Sequence, residues 1–211
     1  QNINIKIIKG EFVALIGKNG AGKTTFSKHL NGLLRPTSGE ILINGRDIKG
    51  LTTAELSKEV GYVFQNPDHQ IFAATVEEEI GYGLKNLMLT ANVRENRIHE
   101  ALEFVGLEKF KKRHPFTLGK GERQKLAVAT ILAMEPGILV IDEPTTGQDW
   151  DNTKKMMWMM EKLHRKGHTI LAITHNIRLA AEYADRVIVF SEGKIELDGK
   201  PENIQRKVSV N

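Results

Sequence analysis

Apolar residues in this chain fall into short β-branched runs separated by stretches of helical spacing. Ile3, Ile5 and Ile7 alternate with polar residues, the period of a strand with one buried face. Lys9-Gly10-Glu11 reads as a turn, and Phe12 to Ile16 as a second strand that leads straight into a glycine-rich loop. A helix is predicted from about Lys23 to Leu33, after which Pro36 and Gly39 punctuate the chain. Ile41 to Ile43, Val60 to Phe64, Ile138 to Ile141, Thr169 to Ile173 and Val187 to Phe190 read as further strands. Several of them lack alternation, as strands covered on both faces should.

Between about Thr75 and Glu135 the pattern turns helical. Thr75 is a candidate N-cap, with Glu77 and Glu78 in the first turn behind it. Ala101, Leu102, Phe104 and Val105 keep helical spacing until Gly106 ends it, and Leu126 to Met134 is helical again. Residues 1–74 and 136–211 therefore read as a nucleotide-type α/β core, and residues 75–135 as a helical insertion. The tail from Val187 to Leu197, broken at Ser191-Glu192-Gly193-Lys194, predicts a hairpin.

A length of 211 residues fits one domain, or one domain with a small subdomain. With no cysteine, disulfides and thiolate metal sites are excluded. The longest apolar run, Gly137 to Ile141 with its flanks, falls far short of the roughly 20 residues that cross a bilayer. A net charge of +4 raises the question of nucleic acid. Bases and acids are interleaved, however, and the densest cluster, Lys111-Lys112-Arg113, is short, so a solvated surface is expected and no nucleic-acid partner. A first residue Gln1 and the polar stretch Gln205 to Asn211 suggest that native sequence is missing at both termini.

Two motifs carry the chemistry. Gly17-Lys18-Asn19-Gly20-Ala21-Gly22-Lys23-Thr24 fits the phosphate-binding (Walker A) pattern, after a strand and opening a helix. Its glycines let backbone N–H groups wrap a β-phosphate, and the helix N-terminus adds favourable partial charge. Lys23 supplies a point charge to the β- and γ-phosphates, the Thr24 hydroxyl is a Mg²⁺ ligand, and Thr25 is a donor to the α-phosphate. Ile138 to Asp142 and Glu143 form a buried strand ending in two carboxylates, the Walker B arrangement, which burial makes costly without a cation or polar ligand nearby. Asp142 is assigned to Mg²⁺ and Glu143 to the attacking water.

Phosphate-loop folds serve many functions. Taken in order along the chain, further residues resemble an ABC ATPase over almost its whole length. Gln65 follows a strand as the Q-loop glutamine does. Leu118-Gly119-Lys120-Gly121-Glu122 stands where the signature belongs. Thr145-Thr146-Gly147-Gln148-Asp149 resembles the D-loop, and Thr174-His175 the H-loop. The resemblance implies a RecA-like P-loop NTPase core with an antiparallel β part and an inserted helical subdomain. It also implies a head-to-tail pair, of identical or different chains, around two ATP molecules. There His175 and Gln65 would serve catalysis, Gln65 also reaching Mg²⁺. The signature would act in trans, and Asp149 would order the facing chain. Two departures from the family pattern stand out. Its usual Leu-Ser-Gly-Gly is here Leu118-Gly119-Lys120-Gly121, which removes a hydroxyl and adds a charge. Its adenine-stacking aromatic would lie ahead of Gln1.

The run Gln65-Asn66-Pro67-Asp68-His69-Gln70 resembles the ATPases of energy-coupling-factor importers, which take up vitamins and metal ions such as cobalt. That resemblance implies integral membrane partners, a position at the cytoplasmic face of the cell membrane, and Asp68 and Gln70 as partner contacts. Competing readings are a non-transport ABC ATPase of DNA repair or translation, and a weakly hydrolysing regulatory subunit. The run Met156-Met157-Trp158-Met159-Met160 reads as core packing on a helix rather than a metal site.

Overall fold

The structure, a computed structural model, describes residues 3–144 and 149–208. In chain order the elements are β1 (Phe12–Ile16), α1 (Lys23–Leu30), β2 (Leu42–Ile43), β3 (Arg46–Asp47), α2 (Thr53–Leu56), β4 (Val60–Val63), α3 (Val76–Leu84), α4 (Ala91–Val105), α5 (Lys120–Leu132), β5 (Ile138–Asp142), α6 (Trp150–Arg165), β6 (Thr169–Ile173), α7 (Ile177–Tyr183), β7 (Arg186–Ser191), β8 (Lys194–Gly199) and α8 (Pro201–Val208). Six strands form one sheet in the order β4-β5-β6-β1-β7-β8. All neighbours are parallel except the β7–β8 hairpin at the edge.

The unbroken apolar runs are explained by burial on both faces. Along β1, Val13 and Leu15 join Val60, Val140, Leu171, Ile188 and Phe190 in a cluster under Phe26 and Leu30 of α1. Phe12 points the other way, into a cluster with the methionines of α6 and the apolar faces of α3, α4 and α5. Ala14 and Ile16 share that second face with Ala180 of α7 and Ile204 of α8. Each fully buried side chain of this size contributes roughly 1.5–3 kcal/mol. Met156, Met157, Met159 and Met160 are all buried while Trp158 is half exposed, so the run packs as core.

Three expectations are modified. Ile3, Ile5 and Ile7 are half-buried against the α1-side cluster while Asn4 and Lys6 are exposed, yet residues 3–8 form no strand among the described residues. Alternation reports which face is covered, whereas a strand also needs a ladder partner. The helix α1 ends at Leu30 rather than Leu33, because Asn31 is its C-cap and Gly32 takes a left-handed φ of 74°. The run at Ile41 contributes only Leu42–Ile43, in a separate antiparallel pair with Arg46–Asp47. There Asn44 (φ 51°) and Gly45 (φ 76°) make the tight Asn-Gly turn typical of hairpins. A further helix, α8, follows the hairpin with Pro201 at its first position, where proline's missing N–H costs no helical bond.

Helix α3 begins as expected. Thr75 caps α3 through Glu78 N, and the Glu78 carboxylate accepts from Thr75 N, a reciprocal capping box. Gly106 closes α4 with a φ of 70°. The helices α3, α4 and α5 share a core with the sheet, since Val63, Leu139 and Ile141 lie in one cluster with Ile80, Leu102 and Leu126. The described residues include no helix long and apolar enough to cross a membrane.

Candidate functional site

The loop between β1 and α1 is shaped by close backbone approach. Gly17 has a φ of 151°, and a Cβ there would lie 2.3 Å from the Phe190 carbonyl oxygen. Gly22 has a φ of 101° and a Cβ on it would lie 3.2 Å from Gly193 Cα. Gly193 N, in the β7–β8 turn, donates to Ala21 O at 2.8 Å. The hairpin legible in the sequence thus also props the loop. Gly22 is the N-cap of α1 and has no side chain to cap with, so the partial positive charge of the helix N-terminus faces the loop. Lys23 is 5% exposed, and its ammonium donates to Gly17 O (2.8 Å) and Lys18 O (3.1 Å), which holds the charge inside the cradle.

At the end of β5, Asp142 is 4% exposed. Thr24 Oγ1 donates to its Oδ1 at 3.3 Å, and the Tyr62 hydroxyl donates to its Oδ2 at 3.1 Å. The Ser27 hydroxyl lies 2.9 Å from that of Tyr62. Burial pushes the Asp142 carboxyl above its ordinary value, the Thr24 and Tyr62 hydroxyls oppose this, and the neighbouring Glu143 charge adds to it. Burial likewise pushes the Tyr62 phenol well above its usual range. Thr24 Oγ1 and Asp142 Oδ1 are hard oxygens, with the Gln65 amide a third candidate. Such a set fits Mg²⁺, which keeps several waters and takes few protein ligands. Among the described residues no group of three or more His, Cys, Asp or Glu side chains offers an alternative metal cluster.

Glu143 stands just past the strand with a φ of 47°, an uncommon conformation for a residue with a side chain. Its N–H donates to Ile173 O at 2.9 Å. Gln65 Nε2 donates to its Oε2 at 2.9 Å, and His175 Nδ1 lies 3.6 Å from the same oxygen. Gln65, Glu143 and His175 follow β4, β5 and β6, three adjacent strands, so the parallel sheet delivers all three at its carboxyl edge. With Gly17, Lys18, Asn19, Gly20, Ala21, Gly22, Lys23, Thr24 and Thr25 they line one cleft of about 700 Å³, in the size range of small-molecule sites. The side chain of His175 is 60% exposed and that of Glu143 only 12%, so the histidine forms the outer rim.

The remaining sequence-predicted residues lie elsewhere. Leu118, Gly119, Lys120, Gly121 and Glu122 open α5, and none of them lines the cleft of their own chain. Gly119 is the N-cap, and its N–H donates to Glu122 Oε2 at 2.9 Å. Lys120 is exposed. A Cβ on Gly121 would lie 3.1 Å from Asn152 Nδ2, where α5 meets the start of α6. Asp149 caps α6, accepting from Asn152 N at 2.8 Å and Asn152 Nδ2 at 3.1 Å. The rest of the D-loop resemblance, residues 145–148, lies outside the described residues. Asp68 and Gln70, expected to face a partner, also bond within the chain, with Arg123 and with Phe64 N and Ala127 O respectively.

Sequence reasoning missed Tyr62, Ser27 and Arg123. A polar-tipped tyrosine inside an otherwise apolar strand, three residues before Gln65, was the available signal for the first. Glu79 was missed too: it is buried, and its carboxylate accepts from Phe72 N (2.9 Å) and Ala73 N (2.7 Å).

The family model for ABC transporters matches residues 1–146. The chain belongs to the ABC transporter family. Among relatives, an ABC transporter ATP-binding protein of Methanosarcina acetivorans is 52% identical over 199 residues, which is 94% of this chain and 32% of that protein. The energy-coupling factor transporter ATP-binding protein EcfA of Methanocaldococcus jannaschii is 47% identical over 206 residues, 97% of this chain and 74% of that protein. The chain thus spans about a third of the first relative and about three quarters of the second. CbiO1 of Clostridium perfringens, part of the ABC transporter complex CbiONQ, superposes with a TM-score of 0.90 at 35% identity, covering 100% of this chain and 85% of that one. The dimeric ATP-binding cassette MJ0796 bound to ADP and Pi gives 0.86 at 31%, covering 95% of this chain and 90% of that one. The α/β fold with a mixed sheet is that of these ABC ATPases.

Proposed function

We propose that this chain binds ATP with Mg²⁺ in the cleft described above, hydrolyses it, and so drives a membrane importer of the energy-coupling-factor type for metal ions or vitamins. The observation that carries the reading is the convergence of Gln65 and His175 on one Glu143 oxygen beside a complete phosphate loop. The identity to EcfA and the likeness to CbiO1 support the importer branch.

In this reading the N–H groups of residues 17–24 wrap the phosphates, and Lys23 places its charge against them. Thr24, Asp142 and Gln65 hold Mg²⁺, which when bound neutralises phosphate charge and fixes its orientation. Glu143 holds the attacking water and takes up its proton, and Gln65 and His175 fix the direction of the Glu143 carboxylate. Catalysis is then positioning plus electrostatics. Two chains, identical or different, pair head to tail. The signature Leu118 to Glu122, on a helical subdomain of residues 75–135, meets the nucleotide held by the core of the facing chain, and Asp149 orders that chain. Lys120 stands where a small residue is usual and brings a cation to that contact. Membrane subunits hold the assembly at the cytoplasmic face of the cell membrane.

Purification of tagged protein carrying Glu143→Gln from detergent-solubilised membranes of its source, with mass spectrometry of what comes with it, tests the reading. Recovery of integral membrane proteins is expected. Recovery of soluble, nucleic-acid-associated proteins alone would replace the importer with a repair or translation role.

A further inference from the structure

Three elements meet at one buried phenol. Tyr62 comes from β4, whose parallel register with β5 sets it beside Val140, two residues before Asp142. Its ring packs on Phe64 at a centroid distance of 4.9 Å, and its hydroxyl donates to Asp142 Oδ2 at 3.1 Å. On α1, one turn after the lysine of the phosphate loop, the Ser27 hydroxyl lies 2.9 Å from the phenol oxygen and 3.0 Å from Thr24 O. Both Tyr62 and Ser27 are buried, and neither lines the nucleotide cleft. Two hydroxyl protons therefore serve three contacts. The ionised carboxylate is the strongest acceptor of the three, so the phenol proton goes to Asp142. The Ser27 proton is then needed between the two hydroxyl oxygens, with Thr24 O as its secondary acceptor. The donors run from Ser27 to Tyr62 to Asp142.

A carboxylate with a donor on one oxygen can still turn about its Cβ–Cγ bond, whereas one with a donor on each oxygen is held. Thr24 Oγ1 takes Oδ1 of Asp142, and Tyr62 takes Oδ2. Oδ1 is thereby kept on the side of Thr24, the other hard oxygen of the set assigned to Mg²⁺. Mg²⁺ tolerates little departure from its preferred geometry, so an oxygen that can swing away serves it poorly. We propose that Tyr62 is a positioning residue for the cation that accompanies the nucleotide: it pins Oδ2, with Ser27 ordering its hydroxyl, so that Oδ1 stays turned to Thr24. This rests on the assignment of Mg²⁺ to Thr24 and Asp142 made above. It gives the buried polar tip of Tyr62 a task beyond satisfying a buried carboxylate.

Metal dependence separates this from a purely structural role. Affinity for the β,γ-imido analogue of ATP is titrated in Mg²⁺ and again in EDTA, for wild type, Tyr62→Phe and Ser27→Ala. Tyr62→Phe keeps the ring and deletes the donor. It is expected to bind about tenfold more weakly in Mg²⁺, the loss typical when a partner that orients a metal ligand is removed, and to stay within about twofold of wild type in EDTA. The Mg²⁺ concentration for half-maximal ATP hydrolysis should rise by a similar factor. Ser27→Ala leaves the Tyr62–Asp142 bond in place and should shift the Mg²⁺ titration in the same direction by about threefold. A structural role alone predicts a lower Tm with equal affinities in Mg²⁺, or an equal loss in Mg²⁺ and EDTA, and either result would overturn the proposal. Should Tyr62→Phe fail to fold, Ser27→Ala carries the test, and an unshifted Mg²⁺ titration there would overturn it. Wild type that binds the analogue equally in Mg²⁺ and EDTA, and hydrolyses ATP without added metal, would overturn the Mg²⁺ assignment itself and the proposal with it.

Discussion

The helices α1 and α5 both begin at a glycine, and the two glycines do different work. Gly22 has a left-handed φ of 101° and lies against the backbone of Gly193. Gly119 has a φ of −63° and a ψ of 158°, a conformation open to any residue, and a Cβ there would meet only Glu122 Oε2 at 3.7 Å. The phosphate loop is held by backbone against backbone, through Gly17 to Phe190 O and Gly193 N to Ala21 O. The start of α5 is held by side chains, through Arg123, Asp68 and the capping Glu122. A site fixed by backbone contacts keeps one geometry. One fixed by exchangeable side-chain bonds can be moved by its neighbours, a freedom that the proposed engagement of a facing nucleotide by the signature would use.

Four substitutions probe this difference, in descending order of effect. Lys23→Ala removes the one charge buried in the cradle and is expected to weaken ATP binding by about a hundredfold or more, measured by equilibrium titration. Binding within a few-fold of wild type would show that the backbone amides alone carry the affinity. Gly17→Ala sets a methyl group against Phe190 O at an impossible distance. A loss of about 3 kcal/mol or more is expected, seen as a fall in Tm on the order of 10 °C. Tyr62→Phe deletes one of the two hydroxyls that donate to the buried Asp142 carboxylate and should cost about 1.5–3 kcal/mol in chemical denaturation. An unchanged midpoint would mean that Asp142 does not depend on that phenol. Gly119→Ser should be tolerated and stabilise α5 by a few tenths of a kcal/mol, because serine is a favoured N-cap at this geometry. A marked loss of stability there would erase the contrast with Gly22.

Much of this was legible in the sequence because it is local. Burial on both faces leaves unbroken apolar runs at β1, β4, β5, β6 and β7. The phosphate loop is one contiguous motif, and Thr75 with Glu78 signals a helix start within four residues. The misses are of two kinds. Ile3, Ile5 and Ile7 carry the period of a strand, but period two states only that alternate residues are covered; whether a ladder forms depends on a partner elsewhere in the chain. Tyr62 with Asp142 and Asp68 with Arg123 are pairs 80 and 55 residues apart, brought together by sheet order and helix docking, which no local pattern encodes. The bonds from Asp68 to Arg123 and from Gln70 to Ala127 likewise reach α5, 55 and 57 residues along the chain.

The most direct test of the catalytic assignment is to compare ATP binding and single-turnover hydrolysis in wild type and Glu143→Gln. Binding preserved to within about threefold, with hydrolysis slowed by about a hundredfold or more, is the expected result for loss of a base that orients and deprotonates water. Hydrolysis by Glu143→Gln at the wild-type rate would contradict it, and would move the chemistry away from the carboxylate on which Gln65 and His175 converge.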